Sequence, residues 1–373
     1  MNVMRSLCDA ISAEGLRLRK VEPASHGVLS VELSATDGRT CAAQWHTDPR
    51  SSAQVADQVR SRFGDHSVRL DATGHLVVQY RGADRTLLPL REIVERPGAV
   101  LVSHRPERRA VVRLGSHRYA RVVRPGHTST IVGPLSEVRP PALRVPVVLH
   151  ADDTSGVVVI SEMSGRTLRD RLSDATLSDE EVATDGKQVG AAIRGLHGHR
   201  ARVSRLVHDG TAEMAAAQRW LTAAAAFGLL DPAAWKEREE QAAHLLAEAP
   251  RELALLHRDL HDTQIVLQDG EPVALLDLDH ATYGDPALDL ANLLVHIDLR
   301  ARQGLCTQRR ARMCATAVVE GYSPDISLLR RLPAYAASTR LRLAGVYSFR
   351  ETAPGLVDDL LHPHFEKDVP PWL

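Results

Sequence analysis

Lysine is nearly absent from this sequence. Only Lys20, Lys187, Lys236 and Lys367 stand among 46 Lys plus Arg, and none lies between Lys20 and Lys187. Any cation that the chemistry of that stretch requires must therefore be an arginine. The four cysteines, Cys8, Cys41, Cys306 and Cys314, form no CxxC pair, which leaves reduced core thiols and argues for no redox or metal site. No apolar run approaches the length that spans a bilayer. The N-terminal MNVMRSLCDAISAEG reads as a short amphipathic helix, without the apolar stretch and small-residue cleavage site of a signal peptide. The expectation is a cytoplasmic protein with no membrane partner. A net charge of -1 provides no overall basic field for nucleic acid. No GxGxxG is present, and nothing argues for a particular oligomeric state.

What is there is an ordinary globular balance, 44 % hydrophobic and 25 % charged over 373 residues, enough for two or three units. Residues 26–45 alternate apolar and polar around Asp37-Gly38, a hairpin signal. Helical spacing follows over Ser51–Phe63, then strand-like runs at Ser67–Leu70 and His75–Tyr80. A second β-rich block begins after Pro97, with strands on either side of Gly115-Ser116 and of the loop Asp152–Ser155. From Thr167 the pattern turns helical: Leu168–Leu172, Asp179–His197, Gly210–Phe227, Pro232–Glu248, Pro286–Gln303, Thr307–Gly321 and Ile326–Val346. No internal repeat is visible. The expected units are 1–100, 101–165 and 166–373.

One compact β segment interrupts the helical part. Strand-like LALL leads into His257-Arg258-Asp259, IVLQ and PVALL form a hairpin around Asp269-Gly270, and the second strand delivers Asp277. Asp285 then caps a helix with Pro286 at its first position. Transfer of a γ-phosphoryl group needs a carboxylate near the attacking hydroxyl and oxygen ligands for Mg²⁺. The loop and hairpin let Asp259, Gln264 and Asp277 converge for that purpose. Asp279 and His280 read as solvated loop residues.

The order H-R-D-x-x-x-x-Q, then an Asp eighteen residues after the first, resembles the catalytic loop and metal-binding Asp of protein-kinase-like enzymes. GDPALDLANLL is similar to the aminoglycoside phosphotransferase and choline kinase branch, which phosphorylates small molecules. The resemblance implies an α+β, bilobal fold with a β-rich N-lobe, a helical C-lobe and an extra N-terminal α/β cap. It also implies ATP and Mg²⁺ as cofactors and a small hydroxylated substrate. It makes Asp259 the base that orients the acceptor, Gln264 (where most of the branch has Asn) and Asp277 the metal ligands, and His257, Asp285 and Asp289 supports of the loop. RYARVVRP resembles the strand that carries the phosphate-binding Lys, with Arg121 in the lysine position. Glu137 is the one carboxylate where a partner helix belongs. VPVVLH…GVVVISEMSGRTL resembles the hinge, with the backbone of Glu162 and Met163 facing adenine. The hairpin Leu114-Gly115-Ser116 is expected over the phosphates.

The motifs cover residues 105–300. The N-terminal hundred residues resemble the cap of maltokinases and related actinobacterial sugar kinases by layout, and Asp259-Leu-His261-Asp-Thr-Gln264 matches their D-x-H-x-x-Q. The expected acceptor is a sugar or amino sugar, since aromatics are only 4 % and choline needs an aromatic or acidic cage. An aminoglycoside acceptor and a catalytically weak nucleotide-binding protein stay open. Asp209, Glu213, Trp220, His261 and the tail His362–Trp372 are candidates for acceptor contact.

Overall fold

The computed structural model describes residues 3–115, 117–203, 207–247, 253–351 and 355–362. The N-terminal unit opens with helix α1 (Val3–Ala13) and carries strands β1 (Arg17–Ser25), β2 (Val28–Ser34), β3 (Thr40–His46), β4 (Val68–Leu70) and β5 (Leu76–Gln79). These form one antiparallel sheet in the order β1-β2-β3-β5-β4, with helix α2 (Pro49–Phe63) between the third and fourth strands. Asp48 caps α2 by accepting from Arg50 N, ahead of Pro49 in the first turn. The inner face of the sheet, with Leu29, Val31, Leu33 and Trp45, packs on Leu7 and Ile11 of α1. It also packs on Ala224, Phe227 and Phe349 from far along the chain. The cap is therefore fused to the helical part through a shared core.

After the short helix α3 (Leu90–Val94) come β6 (Val100–Arg105), β7 (Arg109–Leu114), β8 (Arg118–Val123), helix α4 (Ser129–Glu137), β9 (Val148–Asp152) and β10 (Val157–Ser161). The sheet order is β6-β7-β8-β10-β9. This repeats the first sheet strand for strand, again with a helix between the third and fourth strands, although the sequence shows no repeat. The core under this sheet draws on Leu87, Leu90 and Ile93, ahead of residue 100.

Asp84 joins the two sheets. Its buried carboxylate accepts from Thr86 N and Leu87 N (2.8 and 3.0 Å), from Glu107 N in the β6–β7 turn (2.7 Å) and from His104 Nε2 (2.9 Å). Burial pushes this carboxyl up, but His104 and the backbone donors outweigh it and hold it below the usual range. Asp84→Ala strands four donors, two of them buried (Leu87 N and His104 Nε2), and is expected to cost about 3–5 kcal/mol in urea unfolding. Because the folded group titrates low, this contribution is present at neutral pH and is lost as pH falls through the folded pKa, so wild type and variant converge in acid.

The helical part consists of α5 (Leu168–Ser173), α6 (Asp179–His197), α7 (Gly210–Ala226), α8 (Lys236–Leu246), α9 (Ala287–Arg302), α10 (Gln308–Tyr322), α11 (Ile326–Tyr347) and α12 (Leu356–Leu361). A capping box between Ser178 and Glu181 starts α6. Helices α6 and α10 cross so closely that a Cβ at Gly190 would lie 2.0 Å from Val318 O, which demands glycine there. Two small sheets complete this part. One contains β11 (Arg166–Thr167), β14 (Ile265–Leu267) and β15 (Ala274–Leu275). The other contains β12 (Val207–His208), β13 (Ala254–Leu256) and β16 (Thr282–Gly284). No helix among the described residues is long and apolar enough to cross a membrane.

Candidate active site

Strand β13 is fully buried and delivers the loop His257–Asp262 onto helix α9, whose one polar stripe grips it residue by residue. Asp289, 0 % exposed, accepts from His257 N at 2.6 Å and Arg258 N at 2.8 Å. Asn292 Nδ2 donates to Leu260 O at 2.8 Å. His296 stacks on His261 with ring centroids 5.0 Å apart. Arg300 forks onto Asp262 at 2.6 and 2.7 Å. These positions recur at steps of three and four, the spacing of one helix face. The sequence reading singled out Asp289 alone. The signal for the rest was four polar residues in register within a helix buried on nearly every side. Asp285 accepts from Ala287 N at the start of α9 and takes a two-pronged contact from Arg331 of α11 (2.6 and 3.1 Å), fixing that helix in place.

His257 Nε2 donates to Leu276 O at 2.7 Å, and Leu276 N donates to Gln264 O at 2.9 Å. The catalytic-loop candidate is thus stitched to the strand that ends at Asp277, and Gln264 sits directly across from Leu276. Asp277 has a left-handed backbone (φ 55°) and Arg258 another (φ 73°). Such conformations cost of order 1–3 kcal/mol each in a residue with a side chain, and both aim side chains into the cleft. The Asp259 carboxylate is 42 % exposed, with Arg342 Nη1 3.8 Å away. Burial raises the pKa of Asp259, but Arg342 and the histidines His261 and His257 hold it below the usual carboxylate range. Asp277 is likewise raised by burial and drawn down further by Arg121 and Arg109. Both carboxylates are therefore ionised at neutral pH.

Two expectations about the front lobe need correction. Glu137 does not meet Arg121: it sits exposed at the end of α4, its carboxylate accepting from Arg202 N at 3.3 Å. Arg121 instead reaches across the cleft to Asp279, with one bond at 2.8 Å and a second on the other carboxylate oxygen, and to Asp277 at 3.2 Å. Asp279 is then no solvated loop residue, and His280 lines the cavity. The physical reason is that α4 packs directly on the segment Leu278–His280, which brings these carboxylates under β8.

The second correction concerns the loop over the phosphates. β8 and β10 pair from Arg118↔Ser161 to Val122↔Val157, so the β7–β8 turn at Gly115 lies beside the hinge. There Glu162 N donates to His117 O at 2.9 Å, and the Glu162 carboxylate meets His117 Nδ1 (2.7 Å) and Tyr119 OH (3.3 Å). The Glu162 N–H is thereby taken up within the protein. The opposite turn, Arg105–Arg109 between β6 and β7, is the one whose ends line the cleft. It has no glycine. The cap holds it instead, through Asp84 on Glu107 N, and through Arg85 and Gln44 on the Glu107 carboxylate at 2.8 and 3.2 Å.

The cavity between the lobes measures about 840 Å³. Asp259, Gln264, Asp277, His261, Glu213 and Trp220 all line it, as do Arg19, Lys20 and Glu22 from the cap strand β1. Asp209 caps α7 through Ala212 N instead, and the tail beyond His362 lies outside the described residues. Magnesium takes hard oxygen donors and relies on substrate phosphates to complete its shell. Ionised Asp277 and the amide oxygen of Gln264 fit that demand. Among the described residues no group of three or more His, Cys, Asp or Glu side chains is arranged to hold a metal ion.

A five-stranded lobe, a hinge and a helical lobe with a buttressed H-R-D loop define a bilobal, kinase-like phosphotransferase. The family model described as phosphotransferase enzyme family matches residues 96–326, well over half of the chain. The chain belongs to that family, the aminoglycoside phosphotransferase and choline kinase branch of the kinase-like fold. An aminoglycoside phosphotransferase from Streptomyces rimosus is similar in structure at a TM-score of 0.51, with 18 % identity, over 69 % of this chain and 97 % of that one. A choline/ethanolamine kinase family protein from Mesorhizobium loti aligns at 0.46, with 20 % identity, over 68 % and 80 %. No curated protein matches the chain.

Proposed function

We propose that the protein transfers the γ-phosphoryl group of ATP, with Mg²⁺, to a hydroxyl of a small molecule, a sugar or amino sugar. The observation that carries this reading is the meeting of Asp259, Gln264 and Asp277 in one cavity, with the loop that bears Asp259 held by Asp289, Asn292 and Arg300 of α9. Asp259 accepts a hydrogen bond from the acceptor hydroxyl and takes its proton as the new oxygen–phosphorus bond forms and the bond to ADP breaks. Asp277 and Gln264 would hold the cation, which would supply stabilisation of the charge that develops on the transferring phosphoryl group. Asp289 and His257 act by positioning the loop. Trp220 and Tyr347 are the indole and phenol rings on the cavity wall, too few for a choline cage.

The test is a thermal-shift titration with ATP, with and without Mg²⁺, followed by ADP release with glucosamine, maltose, an aminoglycoside and choline. Magnesium-dependent stabilisation with acceptor-dependent ADP release supports the reading. Nucleotide binding without turnover of any hydroxylated acceptor would turn it into the weaker one of a binding protein.

Arg121 sits where it can pass from Asp277 and Asp279 to the nucleotide phosphates. Arg121→Ala is expected to weaken ATP about ten- to a hundredfold, the worth of one or two charge-assisted hydrogen bonds, while leaving acceptor KM unchanged. Calorimetry with a non-hydrolysable ATP analogue checks it.

A further inference from the structure

The cavity carries far more positive charge than the chain as a whole. Ten Arg and Lys side chains line it against five Asp and Glu, although the net charge of the protein is -1. Some of these cations are already paired: Arg300 with Asp262, and Lys20 and Arg105 with Glu22. Arg19 is paired with Glu32. Two groups among the rest face the proposed chemistry. At the phosphate end Arg109 acts on Asp277, as does Arg121 of β8, which stands outside the cavity lining. The second group centres on Arg258 of the catalytic loop, on which neighbouring Asp259, Arg219 of α7 and Arg342 of α11 all act.

Within this second group Arg258 is distinctive. Its backbone is left-handed, its N–H is held by Asp289, and its side chain is half-buried on the cavity wall. Among the described residues the guanidinia of Arg258 and Arg219 make no hydrogen bond or ion pair within the protein. Burial pulls the pKa of Arg258 down despite nearby Glu213 and Asp259, the sign of a charge removed from water without full compensation. A charge in that state costs stability unless a ligand completes it. Five guanidinium donors in a planar fork suit a carboxylate or phosphate above all other groups.

We infer that the phosphoryl acceptor carries a negatively charged group, a carboxylate or a phosphate, which Arg258 and Arg219 bind while its hydroxyl faces Asp259. The inference rests on the phosphotransferase reading and narrows its substrate class. It disfavours polyamine acceptors such as aminoglycosides, which would place like charges against these arginines.

Inorganic phosphate serves as the probe, titrated by calorimetry into protein already saturated with Mg²⁺ and a non-hydrolysable ATP analogue, so that the nucleotide end is filled. Phosphate is expected to bind, and Arg219→Ala, an exposed residue whose loss leaves the core intact, is expected to weaken it about tenfold or more. Arg258→Ala provides the second variant. A parallel turnover series with glucose, glucosamine, glucuronate and glucosamine 6-phosphate separates a carboxylate from a phosphate as the natural anion. Absence of phosphate binding to the saturated protein, affinity unchanged in Arg219→Ala and Arg258→Ala, or preference for glucose or glucosamine overturns the inference and leaves the kinase reading standing. Failure of the nucleotide analogue to bind with Mg²⁺ overturns both.

Discussion

Asp277→Ala is expected to abolish turnover and the magnesium dependence of nucleotide binding in a protein that still folds. Asp277 is the carboxylate that the β14–β15 hairpin brings beside Gln264, through the pairing of Ile265 with Leu275. Metal stabilisation of the transferring phosphoryl group is worth several kcal/mol, so the loss is about a thousandfold or more in rate. The variant also removes one of the two carboxylates that hold Arg121. Circular dichroism and urea unfolding establish that the fold persists. A folded Asp277→Ala protein with undiminished turnover contradicts the assignment.

Asp259→Asn is the second large effect. The change keeps size and polarity but removes the base, and the expected loss is about 10²–10⁴ in kcat. ATP affinity is expected to stay near the wild-type value, because the proposed roles give this carboxylate to the acceptor and the arginines that act on Asp277 to the nucleotide. The pair of variants is diagnostic: one loses magnesium-dependent binding, the other loses chemistry. Collapse of ATP binding in Asp259→Asn with a preserved residual rate would reverse the two roles.

Much of the helical lobe was legible because its helices carry local signals. The Ser178–Glu181 capping box marks the start of α6, and the reading Asp179–His197 coincides with the helix found. The expected helix Pro232–Glu248 breaks instead into a short 3₁₀ turn at Pro232–Ala234, capped by Asp231, and α8 from Lys236. Strand β1 escaped notice because RLRKVEPAS lies at the sheet edge, where charged residues replace clean alternation. Helix α4 was expected from the resemblance alone, around Glu137, because Gly133 and Pro134 inside it leave no clear local helix signal.

The site divides in the same way. Asp259, Gln264 and Asp277 sit in one stretch whose loop and hairpin bring them together locally, so spacing alone suggested their convergence. Contacts set by the packing of distant elements were not legible. Gly115 looked like a phosphate-covering turn by composition, yet strand order assigns that end of the sheet to the hinge. Glu137 looked like the partner of Arg121 because it was the one carboxylate nearby in sequence, whereas the partner that packing supplies is Asp279, 158 residues away. The cap's place on the cavity wall, through Arg19, Lys20 and Glu22, likewise depends on a core shared with Phe349.

The central claim is that this cavity moves a phosphoryl group from ATP to a hydroxyl with Asp259 and Asp277 doing the work. Phosphorus NMR of the wild-type protein with ATP, Mg²⁺ and a panel of neutral and anionic hydroxylated acceptors tests it most directly. The account predicts a new phosphate-ester resonance appearing in step with ADP, absent when EDTA removes the metal and absent in the Asp259→Asn, Asp277→Ala double variant. ATP that stays intact with every acceptor, or the same ester formed by the double variant, would contradict it.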